Sequence, residues 1–399
     1  MPRWFLADLR TGRQILDLPV LSGRWERFLN APETIEATLD MRDPDVIALR
    51  PAIAAAPCRT VLCVAVDDVI IAAGPIWAHH WSRDDARLTL SARGLWSYYD
   101  HRFVLPVAAA TIAVSQFIIP DPANDGGTKA NPAVGTYLSG WELGTIAKKW
   151  VQQAHAWTGG TVPVVFEADR PATADEGHTR NIEGSEFKNL GNVLAQLTGV
   201  QGGPDIVFQP RLTSDRLGVE WVLRTGTDAL PLLAGSAIHR WDMSVTSSSV
   251  SRFECRVDGS RMAGTAWVTG GRSSDVAMVG RSIDPTLTND GYALFESLDG
   301  SHSSVSEQTT LDRYAGEATT LGEGPVVEWS FDVEANAQPY LGAFWEGDFC
   351  DVDIATYDPA TGTGDPYLFE GGTFRRRIVG MSGDEKGLTV GVTLAPVRA

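Results

Sequence analysis

The chain of 399 residues has little cysteine and lysine, no metal-binding spacing and no long apolar run. Its four cysteines, Cys58, Cys63, Cys255 and Cys350, are too few for the disulfide scaffold of a small secreted protein. None of the seven histidines stands in a His-x-x-x-His or His-Glu-x-x-His spacing, and the Cys58–Cys63 pair has no second pair. The sequence therefore predicts no metal site and no cofactor.

The most apolar stretch is too short to cross a membrane. It runs from Val104 to Ile119 and is interrupted by Pro106, Thr111 and Gln116, whereas a span needs about 18–20 apolar residues. The first eight residues also lack the apolar segment of a signal peptide. We expect a soluble protein without a membrane span, made in a cytoplasm.

Basic residues are outnumbered by acidic ones, 33 to 50, which gives a net charge of −17. A general nucleic-acid-binding protein needs a basic face, and this balance argues against one. The excess is largest in residues 311–399, which carry 6 basic and 15 acidic residues. Such a region is either a solubilising surface or a wall facing another polyanion that must pass without binding.

Residues 1–108 have the pattern of short antiparallel strands. Polar and apolar residues alternate along Thr34–Asp40 and Arg87–Ser91, which is typical of half-buried strands. Asp67-Asp68 separates two apolar runs, Val61–Val66 and Val69–Ile71, and predicts a hairpin turn. We interpret this region as a small β-barrel or sandwich.

Residues 109–237 change to a helical period. Apolar residues from Leu143 to Trp157 recur at helical spacing, and Ser139 with Glu142 predicts a capping box. A second helix is predicted from Phe187 to Leu197, followed by two strands, near 206–208 and 218–224. This region is predicted to be a small α/β unit.

Residues 238–399 return to the β pattern. Apolar and polar residues alternate strictly over Val327–Val333 and again over residues 388–394, and a Gly/Ser-rich excursion lies at about 260–320. No internal repeat is visible in the sequence, although two β-rich regions bracket the α/β unit. The predicted fold class is β-rich α+β, with two antiparallel β-barrel modules bracketing a small α/β insertion.

The sequence contains one candidate pair of catalytic carboxylates. The chain lacks a Gly-x-Ser-x-Gly elbow and a phosphate-binding loop with Walker spacing. Asp351 and Asp353 would share one face of a strand at a separation that a glycosidase could use. Paired acids are, however, expected by chance in a chain with 50 of them, and we predict no catalytic residues and no enzyme.

Thirteen tryptophans suggest a further alternative. Exposed indoles at Trp77, Trp81, Trp96 and Trp345 could stack on sugars and make the chain a glycan- or receptor-binding module. Buried indoles serve core packing and protein interfaces equally well. Solvent exposure of these four residues separates the two interpretations.

Several segments resemble the opening module of minor tail proteins of long-tailed phages that infect actinobacteria. The resemblance lies in Gly74-Pro75-Ile76, in the strand near Arg87–Ser91, and in Gly94, Arg102 and Pro106, where a strand ending in Gly is followed by an Arg and then a Pro. Near the C-terminus, residues 345–352 resemble the Gly-Asp turn and strand of baseplate hub proteins of contractile phages. Residues 374–380 with 388–394 resemble their closing hairpin.

The resemblance implies a structural component of the phage tail tip. A hub of this kind would be a homotrimer in which each chain contributes two tube-type barrels, so that six barrels match a sixfold tail tube. Its implied partners are a distal tail protein ring, a tape measure protein and other tail-tip or fibre proteins. DNA would pass transiently through an anionic lumen, and the virion would be assembled in the host cytoplasm.

Overall fold

The computed structural model describes residues 2–124, 126–172, 177–200, 202–245, 247–273, 276–300, 302, 305 and 307–397. None of the helices in this part of the chain is long and apolar enough to cross a membrane.

The described residues form 23 β-strands, which are β1 Arg3–Asp8, β2 Gln14–Asp17, β3 Ser22–Phe28, β4 Thr34–Asp40, β5 Thr60–Val66, β6 Val69–Ser82, β7 Arg87–Arg93, β8 Ile118–Pro120, β9 Thr128–Ala130, β10 Thr136–Trp141, β11 Val164–Phe166, β12 His178–Ile182, β13 Ile206–Leu212, β14 Val219–Thr225, β15 His239–Asp242, β16 Val250–Asp258, β17 Thr265–Ser273, β18 Val276–Ile283, β19 Glu296–Asp299, β20 Val326–Glu334, β21 Phe349–Ile354, β22 Gly372–Asp384 and β23 Thr389–Pro396. The α-helices are α1 Pro44–Ala48, α2 Pro51–Ala54, α3 Trp96–Tyr99, α4 Leu143–His155, α5 Leu190–Thr198, α6 Thr286–Asn289 and α7 Gln308–Gly322.

Thirteen strands belong to one sheet. Eleven of them follow the order β16-β20-β23-β22-β3-β4-β7-β6-β5-β1-β2, and β21 pairs with β22 and β15 with β21 beside this path. The β-rich α+β class predicted from the sequence is confirmed. Strands from both β-rich regions share the sheet through the pairing of β22 with β3, and among the described strands no pairing closes a barrel within one chain.

Strand β1 separates the two large cores. Trp4 and Leu6 face a core built from both β-rich regions, whereas Phe5 and Ala7 face a second core shared with α4, α5, β13 and β14. Successive strand residues point to opposite faces, so a strand buried on both sides must be apolar at consecutive positions. The run Trp4–Ala7 meets that requirement.

The α/β unit packs on the outer face of β1 and β5. Helix α4 lies in the predicted place, but the predicted capping box is wrong, because Ser139 lies in β10 and the helix begins after Glu142 without a side-chain cap. The Asp228 carboxylate instead accepts a hydrogen bond from the Leu143 N–H, at 3.2 Å. Helix α5 begins only after Asn189, whose side chain caps it, so Phe187 lies outside the helix.

The Gly/Ser-rich excursion contains a folded unit between β16 and β20. Strands β17, β18 and β19 form a three-stranded sheet, and α7 packs against it. Ala266, Val268, Leu311 and Ala315 make its small core. The sequence analysis did not predict these elements, although Val276–Val279 is an apolar run.

The strand order of the sheet contains an internal repeat. Strands β3-β4-β7-β6-β5, which we call the first module, are neighbours in this order, and each neighbouring pair is antiparallel. Strands β16-β20-β23-β22-β21, which we call the second module, repeat the same order and the same directions.

The register of the pairs repeats as well. Ile76 pairs with Ala92 and Ile378 with Leu394, and in both hairpins the next residue, Trp77 or Val379, is bulged. A shift of 302 residues therefore superposes β6–β7 on β22–β23, including their four-residue turns. Over the 25 positions of this hairpin, 69–93 and 371–395, only one residue is identical, which explains why no repeat is visible in the sequence.

Candidate functional site

The face of the sheet that points away from the core is polar across both modules. In β4, Ile35, Ala37 and Leu39 are buried, and the residues between them are partly or fully exposed. Strands β7, β20 and β23 alternate in the same way. Eight adjacent strands, from β16 to the second half of β6, therefore present one continuous polar surface, which we call the polar face.

The two modules give this face different charges. The first module contributes equal numbers of both signs, namely Arg24, Arg87 and Arg93 against Glu26, Glu36 and Asp40. The second contributes mainly acids, namely Glu254, Asp258, Glu328, Asp332, Glu334 and Asp384 against Arg252 and Arg256. The polar face is therefore net acidic, and its acidity comes from the second module.

Cross-strand pairs order the charges of the first module. Arg24 lies 3.1 Å from the Glu36 carboxylate, and Arg87 lies 2.9 Å from Asp40. In the second module Arg252 pairs with Asp332. Exposed ion pairs of this kind contribute about 0–1 kcal/mol each, so their main effect is to fix where charge lies on the surface.

Beneath the polar face, a buried ionic cluster joins the two modules. The Arg27 guanidinium, on β3, donates to the Glu346 carboxylate at 3.0 and 3.1 Å and lies 3.2 Å from Glu33. Burial raises the pKa of Glu33 to about 7, although Arg27 opposes the shift. Gly94 is required here, because a Cβ at this position would lie 1.4 Å from the Glu33 Oε2.

A second buried cluster joins both modules to the α/β unit. Asp205, which precedes β13, pairs with Arg377 of β22. Its carboxylate also accepts hydrogen bonds from the Asn30 Nδ2 at 2.9 Å and from the Leu233 N–H at 2.8 Å. Since a buried carboxylate is stable only when paired, Asp205 fixes the relative placement of three parts of the chain.

The candidate carboxylate pair lies on β21 and is fully engaged by neighbours. Asp351 accepts a hydrogen bond from Arg375 at 2.5 Å, and Asp353 accepts from Arg240 and from Thr373 at 2.5 Å each. The Arg240 hydrogen bond is the largest cause that lowers the pKa of Asp353. Both carboxylates thus form ion pairs with arginine side chains, whereas a glycosidase needs one carboxylic acid that can donate a proton.

The four tryptophans lie in four different surroundings. Trp96 is buried, Trp77 donates to the Ser97 hydroxyl at 2.8 Å, and Trp345 lies over the Arg27 guanidinium. Trp81, near the end of β6, is 50% exposed. The structure thus does not bring these indoles together as one stacking platform.

The segment that contains Gly94, Arg102 and Pro106 connects the first β-rich region to the α/β unit. Arg102 donates to the Tyr98 hydroxyl and to the Ala154 carbonyl, both at 2.6 Å. Close by, the Tyr99 hydroxyl lies 2.8 Å from the His155 Nε2. Burial, reinforced by Arg102, lowers the pKa of His155 to about 4, so this imidazole is neutral near pH 7.

Within the described residues no group of three or more His, Cys, Asp or Glu side chains could hold a metal ion. All four cysteines are free thiols, of which Cys63 and Cys350 are buried. Burial raises the pKa of the Cys350 thiol to about 12, which keeps it protonated.

The sequence matches no protein-family model and no curated protein. Solved structures, in contrast, do match the chain over nearly its whole length, and two tail proteins are among them. The tail protein from Neisseria meningitidis MC58 has a TM-score of 0.51 at 14% identity, covering 99% of this chain and 97% of that one. The 43 kDa tail protein of prophage MuSo2 from Shewanella oneidensis has a TM-score of 0.54 at 11% identity, covering 99% and 98%.

The chain has the fold of phage tail proteins. The kinship expected from short motifs is thereby confirmed at the level of fold. At these identities the likeness concerns backbone architecture alone, and it extends over both modules, the α/β unit and the insertion between β16 and β20.

Sequence reasoning did not identify the residues of the polar face or the two buried clusters. Arg27, Asp205 and Glu346 carry no local signal, because their partners other than Glu33 lie 28–319 positions away. The alternation in Thr34–Asp40 and Val327–Val333 did indicate which residues face outward. The polar face forms because each of these strands pairs with its own neighbours in the sheet.

Proposed function

We propose that this chain is a structural, non-enzymatic component of a phage tail tip, a baseplate hub or minor tail protein that closes the distal end of the tail tube. The observation that carries the proposal is the repeated module in a chain that has, from end to end, the fold of two tail proteins. In this role the chain would join the tube to the host-contacting apparatus and belong to the virion.

We retain the division into a first β domain, residues 1–108, an α/β insertion, 109–237, and a second β domain, 238–399, as part of the proposal. The equivalence of β3–β7 with β16 and β20–β23 supports two tube-type units per chain. A homotrimer would then contain six such units around its axis. Heterologous contacts that close on themselves form rings of this kind.

The polar face is the surface that we assign to the lumen of such a ring. It is continuous over eight strands and net acidic, and DNA is a polyanion that a like-charged wall repels. Four of the five guanidinium groups named on it lie beside carboxylates, as Arg24 does beside Glu36 and Arg87 beside Asp40. These arginines are thus compensated, and we expect them to form few lasting phosphate contacts.

The proposal is tested by the size and shape of the purified chain. We expect light scattering to give three copies and electron microscopy to show a ring with a central channel and near-sixfold inner symmetry. Double-stranded DNA should not be retained by the ring at about 0.1 M salt. A compact monomer at high concentration, or a ring without a channel, would contradict the proposal.

A further inference from the structure

The polar face ends at two strand edges that have no partner among the described residues. At one end, residues 77–82 of β6 pair only with β7, and at the other end β16 pairs only with β20. Unpaired edges expose backbone N–H and C=O groups and are templates for pairing with another strand. Neither edge carries the lysine or proline that commonly blocks such pairing.

The chain contains a model for how these edges pair. Where the two modules meet, the second half of β22 pairs with β3, and Gly380, Ser382 and Asp384 lie opposite Phe28, Glu26 and Arg24. In the repeat, β22 is equivalent to β6 and β3 is equivalent to β16. The junction inside the chain therefore has a counterpart that joins residues 77–82 of β6 to β16.

That counterpart cannot form within one chain, because β6 and β16 lie at opposite ends of the polar face. We propose that residues 77–82 of β6 pair, antiparallel, with β16 of a second copy of this chain. This inference rests on the proposed function and names the surface through which copies associate. The junction inside a chain and the junction between chains are then equivalent.

The repeat also determines the register. Pairing of β4 with β7 and of β20 with β23 equates Ile35 with Trp329, and through these strands Trp25 is equivalent to Cys255. The shift of 302 residues equates Trp81 with Gly383. Since Gly383 pairs with Trp25, Trp81 of one copy should lie opposite Cys255 of the next. The neighbouring pairs are then Ala78 with Asp258, His79 with Val257, His80 with Arg256, and Ser82 with Glu254.

The side chains fit this register. Inside the chain the large Trp25 lies over Gly383, where a Cβ would come within 2.6 Å of the indole ring. Between chains the sizes are exchanged, with the large Trp81 opposite the small Cys255. Trp81 is 50% exposed and Val257 49% exposed in the single chain, and both lie on the core side of these edges, where pairing would cover them.

The polar side of the proposed junction also avoids direct repulsion between acids. Glu254 lies opposite Ser82, Asp258 lies opposite Ala78, and Arg256 lies opposite His80. The two edges are different surfaces, so the contact is head-to-tail and propagates from copy to copy until a ring closes. A symmetric dimer is not expected from it.

Cysteine cross-linking tests the register, because Cys255 is already present on one edge. In a Cys58→Ser background, which removes the exposed thiol, Trp81→Cys should form a disulfide with Cys255 of another copy under mild oxidation. Directly opposite residues of an antiparallel pair lie within the Cα–Cα range that a disulfide spans. Non-reducing gels should show dimer and trimer bands that a reductant removes.

Two controls make the result specific. A cysteine at position 80, introduced as His80→Cys, is one residue away from Trp81 but points to the polar side of the strand. We expect this chain to form less than a tenth of the cross-linked product that the Trp81→Cys chain forms. Adding Cys255→Ser to the Trp81→Cys chain should abolish the bands. A second pair, Ser82→Cys with Glu254→Cys in a chain that lacks Cys58 and Cys255, should cross-link without any change to the tryptophan.

The outcomes separate this inference from the proposed function. A trimeric ring in which neither cysteine pair cross-links would overturn the edge pairing and leave the tail-tip proposal intact. A chain that stays monomeric would overturn both. As a check on affinity, Trp81→Asp should weaken association at least tenfold, whereas Leu388→Asp, which alters an exposed apolar residue outside both edges, should not.

Discussion

The two modules share strand order and register but differ in what covers their outer strands. In the first module, Cys63 and Ala65 of β5 lie beneath the α/β unit and are buried. The pairing of β5 with β6 and of β21 with β22 equates Cys63 with Asp351, and Asp353 lies two residues further along β21, as Ala65 does along β5. Asp351 and Asp353 bear ion pairs with Arg375 and Arg240.

This comparison explains the acid pair that the sequence offered as a catalytic candidate. A strand face covered by another unit must be apolar, whereas the same face without that cover can carry charged residues if they are paired. The carboxylates of β21 thus lie on a strand face that the α/β unit covers in the first module but not in the second. The two modules share a backbone arrangement, and their side chains differ because their surroundings differ.

When residues are exchanged between equivalent positions of the two modules, we expect the largest loss of stability at Cys63. Cys63→Asp would place a carboxylate in the apolar core beneath the α/β unit, with a cost of several kcal/mol or failure to fold. The reciprocal change, Asp351→Cys, should cost about 1 kcal/mol or less. Urea unfolding of both variants measures the difference, and equal losses would contradict the role assigned to the α/β unit.

Arg27 and its equivalent, Val257, provide the second contrast. Arg27→Met should lower the free energy of unfolding by about 3–5 kcal/mol, because Glu33 and Glu346 would remain buried without their cation. Val257→Ala should change it by less than about 1 kcal/mol in the isolated chain, since this side chain is half exposed. Restored stability in Arg27→Met/Glu33→Gln/Glu346→Gln would confirm that the loss is electrostatic.

The pH dependence of unfolding should differ between the module junction and the α/β unit. Glu33 has a pKa of about 7, above its ordinary 4.5. Its contribution to the free energy of unfolding is therefore present at low pH and is lost as the pH rises through 7. His155 has a pKa of about 4, below its ordinary 6.5, so its contribution is present above pH 6.5 and is lost as the pH falls through 4.

Glu33→Gln and His155→Gln should therefore change the slope of the unfolding free energy against pH in opposite directions. In the parent chain, Glu33 lowers this free energy and His155 raises it as the pH goes from 4.5 to 7. Each substitution should remove its own change, of up to about 3 kcal/mol. Thermal unfolding across this range, compared with the parent chain, measures both. Parallel curves for the parent chain and both variants would show that neither group titrates as stated.

The charge difference of the polar face should appear in binding to DNA. Glu254→Lys with Glu334→Lys converts two acids of the second module into cations on this face. Retention of double-stranded DNA at about 0.1 M salt should rise at least tenfold and fall steeply with added salt. The same two charge changes at Glu323 and Glu370, exposed acids outside this face, should have a smaller effect.

The smallest effect is expected from the exposed pair on β21. Arg375→Ala removes the partner of Asp351 and should cost about 0.5–1 kcal/mol. The corresponding residue of the first module is Ala73, which is already apolar and buried. A loss above about 3 kcal/mol would indicate that this surface is covered like its counterpart.

Local pattern predicted the elements of this fold better than their assembly. Alternation in Thr34–Asp40 and Val327–Val333 and helical spacing from Leu143 placed strands and a helix correctly, because burial on one face leaves a period in the sequence. The cap of α4 could not be predicted, since it is Asp228, 85 residues away. The acid pair on β21 was recognised but not its arginine partners, which depend on which strands are neighbours.

The two hairpins have equal length and almost no shared residues, which determines how the repeat can be detected in this protein. A one-residue slip in a strand exchanges its inner and outer side chains, so insertions inside these hairpins are eliminated while substitutions accumulate. The turn between β3 and β4 has no such constraint, and at its equivalent between β16 and β20 a whole folded unit was accommodated. Spacing along the strands is therefore the feature by which the repeat can be recognised in this chain.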